Sequence, residues 1–382
     1  MTTMDGNPAQ WSHLPLRDRI FMGSTFLPVD RPVRSALLLE EVARERQAAL
    51  AVIAMKLRSR GRDELAQPLI DQLGQSLDAR RALVNSPELR VWLKHAIRAL
   101  ALDRVGASPV STSKLDQLTR EFLRLQDLAK RDCVRVPGTG IRLQGRDVDP
   151  LIKAALPPGY QLAIEQDRAD QPLALAGDAI ARALARIADT WPALREDISR
   201  YVLGIIHLGD VELRSCSGEP YTGVIVLTNT DDAPFGLEES IVREYSHQVL
   251  YNVMELSPLL TDAADAEPER RADVHELFVS ISLALYFERI RYRPERHLRQ
   301  IAQRLRSLTV DSLDALAQFD AADLRARGQQ LLTQLAAQVE LLAARQRISA
   351  PTAAPPRLSS ARVVGPRTLE PDLVNEGLAP SE

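Results

Sequence analysis

Five consecutive residues, Arg243-Glu244-Tyr245-Ser246-His247, have the spacing of an HExxH metal motif in which an arginine stands in place of the first histidine. In an intact motif, two histidines four residues apart lie on one face of a helix and bind the same metal ion. A guanidinium group stays protonated and offers no lone pair, so Arg243 cannot replace the missing ligand. Glu244 could act as a general base only if a metal ion activated the attacking water. The pattern favours a lost metal site over a modified one.

A second histidine, His275, lies near the start of a long apolar segment with helical periodicity. If the helix of His247 and the helix of His275 pack in antiparallel orientation, the two side chains could meet. The pair would supply two nitrogen ligands, whereas a mononuclear Fe(II) oxygenase usually needs two histidines and one carboxylate.

Arg243 belongs to a segment that, as a helix, is apolar around most of its circumference. Such helices are usually buried, and a buried charge needs a partner. Two alternatives follow. Arg243 forms a structural ion pair with Glu239 or Glu244, or it binds a carboxylate of a ligand.

The elements that must position these residues are mostly helices. Apolar periodicity predicts helices at 35–59, 63–84, from Pro87 onwards, 113–130, 173–188, 192–206 and through most of 237–345. Segments typical of strands lie at 133–136 with 141–143, 160–164, 211–213 and 222–227. The sequence therefore predicts a mainly α fold with a small central β-sheet (α+β). A helical N-terminal lobe would precede a C-terminal lobe built around the buried, degenerate HExxH helix.

Changes in composition divide the chain into four predicted parts. Residues 1–30 are an N-terminal extension, and 31–131 form the helical lobe. Residues 132–346 form an HExxH-like domain with the small sheet and the C-terminal helices. Residues 347–382 are rich in proline and too poor in apolar side chains to offset their ordering entropy, so we predict a disordered tail.

The composition argues against several classes of protein. A net charge of -3 without a basic block gives little attraction to nucleic acid. Two cysteines cannot make a disulfide framework or a four-thiolate zinc site. The chain shows neither a secretory signal nor an apolar run of ~18 residues. We therefore predict a cytoplasmic protein without a membrane span.

The order of these motifs resembles that of a bacterial family, the 2-oxoglutarate-dependent HExxH-type peptide β-hydroxylases of ribosomal peptide natural-product clusters. The resemblance covers most of residues 80–345. The segments that carry it are 86–92 (SPELRVW), 243–247 (REYSH), 256–259 (LSPL), 274–276 (VHE) and Gly328.

The resemblance implies a peptide-binding groove above a metal site. It implies a metal-ligand role for His247 and His275, with Fe(II) and 2-oxoglutarate as cofactors if the protein is active. In that case Arg270 or Arg271 would bind the carboxylate of 2-oxoglutarate, and Glu244 would be the catalytic residue.

Because an arginine interrupts the motif, we favour a peptide-binding, catalytically inactive homologue that needs no cofactor. Its peptide-binding residues would be Arg243, His247, His275 and Tyr251. Its partners would be a precursor peptide and biosynthetic enzymes. The alternatives are an active hydroxylase with an altered ligand set and, less favoured, a degenerate zinc metallopeptidase.

Overall fold

The computed structural model describes residues 33–104, 110–128, 134–166, 173–209, 213–228, 235–291 and 297–347. In these parts of the chain helices predominate, and one small sheet of four strands lies among them, which confirms the predicted fold class. The predicted extension at 1–30 and the predicted tail after residue 347 lie outside the described residues. No helix within the described ranges is long and apolar enough to cross a membrane.

The described part of the N-terminal lobe consists of the helices α1 (Val33–Ser59), α2 (Asp63–Leu73), α3 (Leu77–Asn85), α4 (Pro87–Arg104) and α5 (Val110–Leu128). Helix α4 begins as predicted, because the Ser86 hydroxyl accepts a hydrogen bond from the backbone N–H of Leu89 at 3.2 Å. Trp92 of α4 is fully buried and stacks on Phe122 of α5 with ring centroids 5.0 Å apart. This stacking holds the two helices together.

The described middle of the chain contains the helices α6 (Pro150–Ala155), α7 (Pro158–Gln166), α8 (Leu173–Thr190) and α9 (Pro192–Tyr201), and the strands β1 (Arg142–Gln144), β2 (Gly204–Leu208), β3 (Cys216–Ser217) and β4 (Val224–Thr228). The strand order is β1-β2-β4-β3. Strands β1, β2 and β4 are parallel, and β3 is antiparallel to β4. Every residue of β4 is buried, as expected for a strand covered on both faces.

The sheet separates two hydrophobic cores. Ile205 and Ile225 pack into the C-terminal core, whereas their neighbours Ile206 and Val226 pack into the N-terminal core. Successive side chains of a strand point to opposite faces, so the sheet lies between the two cores and contributes apolar side chains to both. Helix α1 also contributes to both, since Leu38 near its start belongs to the C-terminal core and Leu50 further along belongs to the N-terminal core.

The described C-terminal part consists of the helices α10 (Gly236–Leu256), α11 (Asp262–Asp265), α12 (Pro268–Ile290), α13 (Leu298–Gln318) and α14 (Ala326–Gln346). Helix α10 carries the HExxH-like motif and packs against α1, α8, α9, α12 and β4. It is therefore surrounded on several sides, as its apolar circumference predicts. At Gly328 of α14 the carbonyl group of Leu259 approaches so closely that a side chain would not fit.

Three predicted elements differ from the structure. Residues 160–164 belong to helix α7 and not to a strand, because Pro158 suits a first helical turn and good helix formers follow it. The helix predicted at 192–206 ends early, and its last residues lie in β2, since a short apolar run does not distinguish the two structures. The helix predicted at 63–84 is divided near Gly74 into α2 and α3.

The predicted pairing of 133–136 with 141–143 is present in part. Arg135 and Arg142 form an isolated antiparallel bridge, and Arg142 then begins β1, which joins the sheet through β2. Cys133 lies outside the described residues, and so do the first two residues of the strand predicted at 211–213.

Candidate functional site

The predicted site lies where helices α10 and α12 pack side by side. The helices are antiparallel, because Glu238 contacts Tyr286 near one end and His247 contacts His275 further along. The Nδ1 atoms of the two histidines are 3.3 Å apart, and their ring centroids are 5.6 Å apart at an interplanar angle of 27°. The two histidines thus meet as the sequence predicts.

Tyr251 adds a third ring to this pair. It stacks on His247 at 6.0 Å with an interplanar angle of 19°, and its centroid lies 5.1 Å from that of His275. The Tyr251 hydroxyl donates a hydrogen bond to the backbone carbonyl of Ser217 in β3 at 3.3 Å. Tyr251 is buried, whereas both histidines are partly exposed. A ligand would therefore reach the histidines before the tyrosine.

The surroundings lower the pKa of both histidines. Burial holds the pKa of His247 well below its usual value, and the charges of His275 and Arg243 lower it further. The pKa of His275 falls to about 4, mainly through burial and then through Arg271, while Glu219 opposes the shift. Both imidazoles are therefore neutral at pH 7, and each has one N–H donor and one nitrogen lone pair.

Arg243 is partly exposed on α10. The two carboxylates predicted as its ion-pair partners are engaged elsewhere. Glu239 forms a salt bridge with Arg304 at 2.5 Å, and the buried Glu244 accepts a hydrogen bond from the Ser217 hydroxyl at 2.7 Å. Within the described ranges, no hydrogen bond or ion pair joins Arg243 to another residue. The structural ion pair predicted for Arg243 is therefore not formed with either glutamate.

The two arginines predicted to bind a carboxylate differ in position. Arg271 forms a salt bridge with Asp265 at 2.9 Å, and its charge contributes to the lowered pKa of His275. Arg270 pairs with Asp323 at 3.3 Å, in the segment that precedes α14. The charge of Arg271 thus acts on His275, whereas the shortest ion pair of Arg270 connects α12 to the segment before α14.

Three residues near the rings are missed by sequence reasoning. Lys94 of α4 forms an ion pair with Glu219, whose charge acts on His275. Ser217 contacts both Glu244 and Tyr251 through its hydroxyl and its carbonyl group. No spacing in the sequence relates α4, the segment after β3 and α10, so only the folded structure brings these residues together.

The histidine pair has the spacing of metal ligands without a complete ligand set. Two nitrogens that are each about 2.0–2.1 Å from a tetrahedral metal ion lie about 3.3–3.4 Å apart, and the Nδ1 atoms of His247 and His275 are 3.3 Å apart. In the described part of the chain, however, no group of three or more His, Cys, Asp or Glu residues is placed to hold a metal ion. These residues do not fit the three-ligand centre of an Fe(II) oxygenase or a catalytic zinc site.

A different side of α10 carries a polar network that is buried except for Glu255, which is 36% exposed. The side-chain oxygen of Gln248 accepts from the N–H of Gly223 at 2.5 Å, and its amide group donates to the β4 backbone at 3.1 Å. Arg46 of α1 donates to Asn252 at 3.2 Å and to both carboxylate oxygens of Glu255, at 2.7 and 2.5 Å. This network connects α1, α10 and β4.

No protein-family model matches the chain. No curated protein matches it significantly. The resemblance to HExxH-type hydroxylases therefore rests on the motifs in the sequence and stays a prediction.

Proposed function

We propose that this protein binds a precursor peptide in ribosomal peptide natural-product biosynthesis and is catalytically inactive. The proposal depends on one observation: the partly exposed Arg243 stands at the first-histidine position of the motif with no carboxylate partner among the described residues. We expect the protein to act in the cytoplasm as an accessory or scaffold for biosynthetic partner enzymes. Nucleic acid and membranes are not among its proposed partners.

The positive charge of Arg243 beside His247 favours an anionic group on the ligand. A peptide carboxylate would accept charge-assisted hydrogen bonds from Arg243, and a neutral His247 or His275 could donate one N–H to the same group. Arg271 adds positive charge near His275. Arg243, which has no carboxylate partner among the described residues, would repel a metal dication at the first-ligand position. Two like unit charges 4 Å apart repel by about 4 kcal/mol at an effective dielectric constant of about 20.

A second candidate is an Fe(II)/2-oxoglutarate-dependent peptide hydroxylase with an altered ligand set. The observation that favours it is the Nδ1 separation of 3.3 Å between His247 and His275. Arg271 would then be better placed than Arg270 to bind the co-substrate carboxylate. A degenerate zinc metallopeptidase has less support, because Glu244 is buried and bonded to Ser217.

Titration of the full chain with peptides encoded beside its gene tests the proposal. We expect acidic peptides to bind at micromolar concentration and Arg243→Met to weaken binding about 10–100-fold, because a hydrogen bond to a charged group contributes about 1.5–3 kcal/mol. Replacing Asp and Glu of the peptide by Asn and Gln should weaken wild-type binding and leave binding by the variant unchanged. Arg120→Met, at an exposed position of α5, is the matched control. Failure of all these peptides to bind would contradict the proposal.

Metal analysis of the purified chain separates the two candidates. The proposal expects no stoichiometric iron or zinc. The second candidate expects one iron ion per chain that is lost in His247→Ala and in His275→Ala. Arg243→His is a complementary variant, since it restores the motif. Metal binding gained only by this variant would identify an eroded hydroxylase site.

A further inference from the structure

A pocket of about 280 Å³ lies between helices α12 and α13, and neither histidine of the candidate site lines it. Ligand pockets usually measure about 300–1,000 Å³, so this volume suits a single side chain or a small molecule. Four carboxylates line the pocket: Asp273 and Glu276 of α12, and Asp311 and Asp314 of α13. None of the described residues that line it is a lysine, an arginine or a histidine. The pocket is therefore strongly acidic.

Much of this negative charge has no positive partner in the part of the chain that the structure describes. No hydrogen bond or ion pair joins Glu276 or Asp314 to another described residue. Asp311 accepts a hydrogen bond from a serine hydroxyl, which is neutral. Asp273 lies 4.0 Å from Arg270, and this arginine has a shorter ion pair outside the pocket. At least two of the four carboxylates are thus available to a cation from outside.

The end of helix α13 adds to the negative potential of the pocket. The lining includes Gln318, the last residue of α13, and Phe319, which follows it. The last turn of a helix carries a partial negative charge, and in α13 this turn contains no basic residue. Asp311 and Asp314 are three positions apart on the same helix, a spacing at which like charges repel. A cation bound in the pocket would relieve both effects.

The lining of the pocket favours an organic cation over a metal ion. Among the described residues, no group of three or more His, Cys, Asp or Glu is placed to hold a metal ion, so the four carboxylates are not arranged to ligate one. Leu277 and Phe319 contribute apolar surface to the pocket. A methylene chain packs on such a surface while its charged end reaches a carboxylate, and an aromatic ring also attracts a cation.

We infer that this pocket binds an ammonium or guanidinium group carried on a short methylene chain. Lysine and arginine side chains of a polypeptide have this chemistry, and so do free polyamines. The charged group would pair with Glu276 and Asp314, and the methylene chain would lie on Leu277 and Phe319. The inference is independent of the peptide-binding proposal, because none of these residues is assigned to the peptide carboxylate.

Isothermal titration calorimetry of the full chain at low ionic strength tests the inference with three compounds. N-acetyl-arginine methylamide represents a side chain of a polypeptide, and spermidine represents a free polyamine. N-acetyl-citrulline methylamide has nearly the shape of the arginine compound without its charge. We expect the cationic compounds to bind at low-millimolar concentration or more tightly, and the citrulline compound not to bind. The tighter of the two cationic compounds identifies the source of the ligand.

Two double variants then locate the binding. Glu276→Gln with Asp314→Asn removes two charges at exposed positions of the pocket, so the chain should fold and bind about tenfold more weakly, the equivalent of about 1.4 kcal/mol for two exposed ion pairs. Asp178→Asn with Glu340→Gln removes the same net charge at exposed positions of α8 and α14 and should bind like the wild-type chain. Equal affinities of the two double variants would overturn the inference, and so would a wild-type chain that binds neither cationic compound.

Discussion

Helix α10 carries its polar residues from the motif onwards on two sides, and their partners differ. On the side that faces α1 and β4, Gln248, Asn252 and Glu255 all have hydrogen-bond partners in other elements. On the side that faces α12, His247 meets another neutral histidine, and Arg243 has no partner among the described residues. The difference suggests a division of roles: the residues paired with α1 and β4 hold the fold, and Arg243, beside the partly exposed histidine pair, is available to a ligand.

The paired side joins distant parts of the chain. Arg46 and Glu255 are 209 positions apart in the sequence, and their hydrogen bonds connect the first described helix to the end of α10. Arg46 is 3% exposed, so its charge depends on these partners for compensation. By contrast, Arg243 is partly exposed and can be hydrated. The two arginines should therefore respond very differently to the same substitution.

The largest effect is expected at Arg46. Arg46→Met leaves the buried acceptors of Asn252 and Val84 without a donor, at about 1–3 kcal/mol each, so we expect a loss of about 4 kcal/mol of unfolding free energy. Glu255 is 36% exposed and would be hydrated in the variant. Equilibrium unfolding in urea measures the change. Arg44→Met, whose ion pairs lie on the surface of the same helix, should lose less than about 1 kcal/mol. Equal losses in the two variants would show that the buried network does not hold α1 to α10.

Acid should weaken the side that carries the histidines. The pKa of His275 is about 4 in the folded chain against 6.5 as its ordinary value, so the unfolded chain binds more protons between these limits. The stability contribution is complete above pH 6.5 and is lost as the pH falls towards 4, by about 3 kcal/mol. The pKa of His247 is lowered in the same direction. Unfolding free energies across this range measure the slope, which His275→Gln should flatten. An unchanged slope in the variant would be inconsistent with a histidine pair that is neutral in the folded chain.

Gln248 should show an intermediate effect. Gln248→Leu leaves the buried N–H of Gly223 and a backbone carbonyl of β4 unpaired, and we expect a loss of about 2–3 kcal/mol of unfolding free energy. Urea unfolding again gives the value. Gln67→Leu, at an exposed position of α2, is the control and should change stability by less than about 0.5 kcal/mol. If both glutamine variants were neutral, the polar network would contribute little to the contact between α10 and the sheet.

The sequence predicts the contacts between residues that lie on helices recognisable from their apolar periodicity. His247 and His275 can be brought together because each lies on a recognisable helix, and a single antiparallel packing step joins them. The cap at Ser86 is likewise a local pattern of neighbouring residues. Where periodicity is ambiguous, as in the apolar run that forms β2, the prediction of a helix is wrong.

The partners of buried charges could not be predicted in this way. The pairs of Arg46 with Glu255 and of Lys94 with Glu219 each connect elements that only the tertiary fold brings together. For Arg243 the sequence offered two nearby glutamates, and neither is its partner, because one pairs with α13 and the other binds β3. A charge near in sequence is not necessarily near in space.

The smallest effect on stability, and the sharpest test of the comparison, is expected at Arg243. Arg243→Met should change the unfolding free energy by less than about 0.5 kcal/mol at pH 7, because no ion pair or hydrogen bond to a described residue is lost. The same variant should raise the pKa of His247, since the Arg243 charge contributes to its depression, and NMR titration of the imidazole measures that shift. A loss of stability as large as that of Arg46→Met would make Arg243 structural. The contrast between the two sides of α10 would then disappear, and with it the argument that Arg243 is held ready for a peptide carboxylate.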